Sequence, residues 1–221
     1  MLNILRQRGF SLVEMLIALA INGIIIAGVI ALFSSNMRHY QLTRQSDKFN
    51  QQLQTALDII SSEIRRAGFW GDSAAAVGSH ANNNPFMAAN VDLTINAAKN
   101  CIIFSYDKNA DKMLPGASAS IDDERYGFRV LNQVLQARPP GATLACDTAF
   151  ANWENITNSN EVVITNLTFT LNTSSLATGS GTSALLMRSV DISITGAPAN
   201  DPSNTKTLTQ HVVVRNDKYI P

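Results

Sequence analysis

Between Gly9 and Phe33 the sequence holds one ionisable side chain, Glu14, in a run that is otherwise almost wholly apolar. The run exceeds the ~20 residues that a helix rising 1.5 Å per residue needs to cross a bilayer core. A carboxylate inside such a segment costs about 2.5–3.5 kcal/mol on insertion scales, so it marks a functional partner that an ordinary anchor has no reason to require. Arg6 and Arg8 precede the run and no acid does, which keeps the short head on the cytoplasmic side and exports the remainder.

The hexapeptide Gly9-Phe10-Ser11-Leu12-Val13-Glu14 resembles the class III signal of type IV prepilins and type II secretion pseudopilins. The resemblance implies that a membrane prepilin peptidase cuts between Gly9 and Phe10. It implies also that Phe10 becomes an N-methylated first residue, and that Glu14 pairs in the fibre with the amine of Phe10 on a neighbouring subunit. The physical sense is that a buried charge is tolerated only when paired. The signal lies ahead of the apolar core, whereas a cleaved secretory signal has its small-residue site after it. The spanning helix is therefore expected to survive processing. A plain signal-anchor is the alternative reading of these residues.

Past Phe33 the chain turns amphipathic. Leu42, Phe49, Leu53, Leu57, Ile60, Ile64 and Ala67 recur at helical steps with charged and amide residues between them, one face to bury against a head. One helix over 10–67 is expected, softened near Gly23 and Gly28 because glycine weakens a helix interior by ~1 kcal/mol relative to alanine. Gly68 is its natural stop. A coiled coil is the rival, but the stripe is short and irregular for heptads.

Four segments are expected: a leader at 1–9, a transmembrane and fibre-core helix at 10–34, an amphipathic helix at 35–68 and a periplasmic β-rich head at 69–221. The 221 residues, 45% hydrophobic and 15% charged, suffice for one such domain and a membrane helix. Loss of residues 1–9 removes two of 17 basic residues and none of 17 acidic ones. The small negative balance that remains gives no support to a phosphate-binding surface, and no direct nucleic-acid contact is expected.

Cys101 and Cys146 are the two cysteines. In an exported domain an even pair reads as a disulfide, worth about 4 kcal/mol on the chain-entropy model for a loop of ~45 residues; two buried thiols is the other reading.

The stretch at 72–98 reads as an exposed loop with a short turn of helix, and 101–106 as a strand. Asp107, Asn109 and Asp111 place oxygens at positions one, three and five of an EF-hand-like loop, but position six is Lys112 and position twelve Ser118, where glycine and a bidentate glutamate belong. Asp122, Asp123 or Glu124 would have to close a calcium site. A solvated turn uses the same residue types, and both readings stand. No cofactor is expected otherwise.

At 124–131 a strand carries Tyr126, Phe128 and Val130 on one face. The last third reads as a β-meander, with Val163, Leu167, Phe169 and Leu171 sharing a parity, then Val190, Ile192 and Ile194, then a final strand at 211–215. The connections at 172–183 and 196–206 read as long polar loops.

Three further stretches extend the resemblance to PilW-type minor pilins, relatives of J-type minor pseudopilins: Arg65-Arg66-Ala67-Gly68-Phe69-Trp70-Gly71, Trp153-Glu154-Asn155-Ile156-Thr157, and Val214-Arg215-Asn216-Asp217-Lys218-Tyr219. What it implies is an α+β, pilin-like fold, a long N-terminal helix packed on an antiparallel β-sheet head. Other minor pilins, the major pilin, prepilin peptidase, inner-membrane assembly machinery and membrane lipid are the implied partners. The implied role is starting or capping a type IV pilus from the bacterial inner membrane, in a priming complex near the tip, with adhesion, twitching motility and DNA uptake following indirectly. A J-type pseudopilin of type II secretion and a membrane-anchored surface binding module are the alternatives. No phosphate-cradling glycine loop, nucleophile elbow or His-Glu-x-x-His occurs, and His39, His80 and His211 are scattered; an assembly component is expected, not an enzyme.

Overall fold

The computed structural model describes residues 9–72, 83–114, 123–142, 144–146, 153–177 and 183–220. The leader before Gly9, His80, Ser118, Asp122 and part of the connections at 72–98 and 172–183 lie outside the described residues. The chain divides into two compact units, Met1–Asp47 and Lys48–Pro221.

One helix, α1 (Leu12–Ile64), runs through both units. It stays helical across Gly23 and Gly28, so the expected softening there is not seen: two isolated glycines cost too little to interrupt a ladder of backbone hydrogen bonds. In the first unit every residue from 9 to 45 is exposed, including Leu42 at 63%. The buried stripe therefore starts seven residues later than expected, at Phe49, and continues through Leu53, Leu57, Ile60 and Ile64. The helix ends at Ile64, and after three turn residues Gly68 takes φ +74° and donates its N–H to Ser105 O at 2.8 Å. Only glycine fits comfortably here: its φ is left-handed, and a Cβ would stand 2.4 Å from Met87 Cε.

The head of the second unit carries the expected antiparallel architecture as two sheets. The first has the order β1 (Thr94–Ile95), β2 (Cys101–Ser105), β3 (Arg125–Leu131), β4 (Val134–Ala137) and β5 (Glu154–Asn155). The second runs β6 (Val162–Ala177), β7 (Ala184–Pro198) and β8 (Lys206–Val213), with β9 (Lys218–Ile220) also paired to β7. Both contribute to one core with the helix stripe, in which Ile102, Phe104, Leu135, Leu167, Phe169 and Ile192 are almost fully buried.

The β3–β4 hairpin, absent from the sequence expectation, closes through Asn132 and Gln133, both with positive φ, as a two-residue type I′ turn demands. Its carbonyl at Gln133 accepts from Ile164 N at 2.9 Å, and that of Lys99 accepts from Phe169 N at 2.8 Å. Turns of the first sheet thus occupy the outer edge of β6, an edge that would otherwise present unpaired donors.

Three expectations about the meander change. Val162 and Ile164 face the core and Val163 does not, because the register shifts between Ile164 and Asn166. Thr165 is an extra residue there, so the parity of Leu167 and Phe169 cannot be extrapolated backward across it. The polar stretch after Asn172 is no loop: β6 continues to Ala177, paired with β7. The last strands are β8 and β9, where one strand at 211–215 was expected. Within 83–98 the expected short turn of helix is present as a 3-10 turn (Pro85–Met87), but the expected exposure holds only in part, since Phe86, Met87, Val91 and Leu93 are buried.

Candidate functional site

The first candidate region is the start of α1. Ser11 O accepts from Met15 N at 3.1 Å, and Glu14 Oε2 accepts from Ser11 N at 3.1 Å. Ser-x-x-Glu is thus half of a capping box, with the acid reaching back to satisfy an orphan donor at the helix end. The sequence signal for it is the Ser11-x-x-Glu14 spacing directly ahead of an apolar run. One oxygen of Glu14 is engaged in this way. Gly9 and Phe10 are exposed and outside the helix.

The second region lies where α1 delivers the chain to the head, and there two of the three segments behind the resemblance meet, while the third packs on the first sheet. Arg215 N donates to Arg65 O at 3.1 Å, while Asn216 Nδ2 donates to Arg66 O and Ala67 O at 3.2 and 3.1 Å. Carbonyls that the helix end leaves without partners are thereby satisfied by the C-terminal segment. Asp92 accepts from Arg188 Nη1 and from Lys218 Nζ, each at 2.6 Å, which holds β7 and β9 to the segment after the 3-10 turn. In the Trp153–Thr157 stretch, Arg129 lies over the Trp153 ring at 4.5 Å, and Thr157 Oγ1 accepts from Leu135 N at 3.0 Å.

Immediately after Gly68, the helix-exit turn grips the loop that follows β2. Asp107 N donates to Phe69 O at 2.9 Å, Gly71 N to Asp107 Oδ2 at 2.9 Å, and Trp70 Nε1 to Lys112 O at 3.0 Å. A Cβ on Gly71 would come within 3.0 Å of Asp107 Oδ2, so the close approach uses the missing side chain. Lys112 itself pairs with Asp72 at 3.2 Å.

The expected oxygen set Asp107, Asn109 and Asp111 is only partly assembled. Asp107 and Asp111 come together with Glu124, one carboxylate oxygen of each lying within 4.8 Å of the others. Asn109 is turned to local work: its Oδ1 accepts from Asp111 N and its Nδ2 donates to Asp111 Oδ2. Asp123 serves elsewhere, buried between Arg125 at 3.0 Å and Arg138 at 2.6 Å. Glu124 Oε1 accepts from Lys108 N and Asn109 N. Burial pushes its carboxyl above the ordinary range; those two N–H groups oppose the shift, and the charges of Asp107 and Asp111 reinforce it.

The expected cystine is present, Cys101 to Cys146, with Cα atoms 5.8 Å apart. His39 lies on the exposed part of α1, and His211 Nδ1 is 2.6 Å from Asp191 Oδ1 on the exposed face of the second sheet. Among the described residues neither meets a serine or cysteine nucleophile in a buried cleft.

A long apolar helix with one acid near its start, joined to an antiparallel β head, defines a pilin-like protein whose N-terminal helix is long and apolar enough to span a membrane. The match of residues 4–30 to the prokaryotic N-terminal methylation motif agrees with that class. Residues 42–214 match the family described as prepilin peptidase-dependent protein B, and the chain belongs to that family. Prepilin peptidase-dependent protein B of Escherichia coli (strain K12) is 23% identical over 159 residues, covering 72% of this chain and 75% of that protein. No solved structure matches significantly.

Proposed function

We propose that this chain is a PilW-like minor pilin. It enters the inner membrane as a prepilin with its head in the periplasm, is cut between Gly9 and Phe10, is methylated at Phe10, and joins other minor pilins in the complex that starts a type IV pilus. The work is done by packing, not by catalysis. Side chains exposed along the apolar half of α1 lose contact with lipid or solvent as helices bundle in the fibre. Glu14, with one oxygen held by Ser11 N, uses the other for the amine of the neighbouring Phe10, since a carboxylate in an oily bundle is tolerable only when matched.

The observation that carries this reading is the exposure of every residue from Leu12 to Gln45 in a helix long and apolar enough to span a membrane. Such a surface demands a lipid or helical partner. The four segments read from the sequence follow from the same proposal, with the leader removed, 10–34 in the membrane and later the fibre core, 35–68 leading into the head, and 69–221 outside.

Mass spectrometry of the mature protein tests the processing step and should find an N-methylated Phe10 as its first residue. Gly9→Val should block cleavage, whereas Glu14→Val should be cleaved and fail to support piliation. A retained leader, or normal pili with Glu14→Val, overturns the reading. Intact pili with lost protein secretion on deletion would reassign the chain to a type II secretion pseudopilus.

A further inference from the structure

The loop after β2 contains two acids that are nearly inaccessible, Asp107 at 1% and Glu124 at 2% exposure. Each is satisfied on one side only. Asp107 Oδ2 accepts from Gly71 N and Lys112 N, and Glu124 Oε1 from Lys108 N and Asn109 N. The other oxygens, Asp107 Oδ1 and Glu124 Oε2, are buried with no hydrogen-bond donor among the described residues. A buried anionic oxygen without a partner bears its full desolvation cost, so such atoms point to a bound species. Asp111 stands beside them at the exposed rim. None of the three carboxylates makes an ion pair among the described residues, the Lys112 ammonium being taken by Asp72.

We propose that Asp107, Asp111 and Glu124 bind a calcium ion, which fastens the loop after β2 to the turn at Phe69–Gly71. Carboxylate oxygens within 4.8 Å of one another can share a cation whose oxygen ligands lie at about 2.3–2.6 Å. Calcium accepts an irregular shell completed by water or carbonyls at the open rim, where magnesium holds to a compact octahedron. Lys112, at the place where an EF-hand loop turns on glycine, takes φ +69° and makes the same turn. Glu124 closes the set from the far side of the loop. This site is independent of any role in a fibre.

Calcium titration of the full chain in detergent micelles, after chelator treatment, tests it by calorimetry and by melting temperature. Saturable heat with one ion per chain is expected, with a melting temperature raised by several degrees and little response to magnesium at equal concentration. Asp111→Asn, at the exposed rim, should keep the fold and lose at least tenfold in calcium affinity. Glu124→Gln keeps an acceptor for Lys108 N and Asn109 N and should lose more. Absence of calcium heat and of any melting shift in the parent protein overturns the proposal, as does unchanged affinity in Asp111→Asn and Glu124→Gln together. Higher chelator-treated stability in Glu124→Gln, with no calcium response in the parent, identifies a shared proton as the occupant and likewise overturns it.

Discussion

Tyr106 donates its hydroxyl to Glu63 Oε2 at 2.5 Å, joining the last turn of α1 to the end of β2 across 43 positions of sequence. Its ring stacks on Tyr126 at 4.3 Å, and the Arg66 guanidinium lies 5.9 Å from the same ring. Burial, then the bond to Glu63, pushes the Tyr106 hydroxyl from 10.0 up to about 12. The folded state holds this proton more tightly than the unfolded chain. The resulting stabilisation is complete below the unfolded value and vanishes as pH climbs through the folded one. Tyr106→Phe should cost about 1–2 kcal/mol at neutral pH, a hydrogen bond to a charged group partly offset by the remaining Arg66 contact. Its denaturation midpoint should also fall less steeply between the two values than that of the parent, which chemical melts across that window would measure.

Gly127 lets the Trp153 ring come close to the first sheet. A Cβ there would stand 2.8 Å from Trp153 Cη2 and 3.0 Å from Ile102 O. The ring can shift but the carbonyl, inside a strand pair, cannot. Gly127→Ala should destabilise by about 1–3 kcal/mol through overpacking. Shrinking the ring with Trp153→Leu in the same chain should recover part of that loss, so the two changes together cost less than their sum. Denaturant midpoints of both single variants and the double variant read the coupling.

Asp123 is the hub of a buried ionic cluster. Its carboxylate takes Arg125 Nη1, Arg138 Nη2 and the N–H of Gly141, and Arg138 also donates to the carbonyls of Arg125 and Ala142. Removing the acid leaves a guanidinium buried without its counter-charge, a loss of about 3–5 kcal/mol. Asp123→Ala should therefore lower the thermal midpoint well beyond any exposed acid such as Asp58→Ala. Equal midpoints for the two variants would contradict the burial of this cluster.

The long-range order of α1 was legible because its signal is local and repeated: an apolar run, then a stripe from Phe49 to Ile64, then Gly68. Tyr126, Phe128 and Val130 likewise share a face turned toward the core, with Phe128 buried and the others partly so. What escaped the sequence depends on partners. Thr165 reads like any strand residue, and the bulge is fixed only by β7 across from it. The polar end of β6 has no apolar face to announce it and is a strand because β7 runs alongside. At the candidate cation site, Asp123 and Glu124 are neighbours of the same charge. Just ahead of β3 they take opposite tasks, one turned to Arg138 and the other to the loop after β2. Choosing between them from sequence requires knowing where Arg138, 15 residues away, arrives.

Cys101 begins β2, opposite Arg129 of β3, and its sulfur reaches Cys146 beyond β4. The bridge thus ties the first sheet to Cys146 across a separation of 45 residues. On the chain-entropy view the gain comes from the unfolded state, whose freedom a loop of this length restricts by about 4 kcal/mol. Reduction should accordingly lower the denaturant midpoint while the native Cys101 environment stays closed, since that residue is 1% exposed. Cys101→Ser with Cys146→Ser should match the reduced parent to within about 1 kcal/mol, and dithiothreitol should leave the double variant unchanged. A double variant as stable as the oxidised parent would mean that packing of Cys101 against the core, and not closure of the loop, holds this edge of the sheet in place.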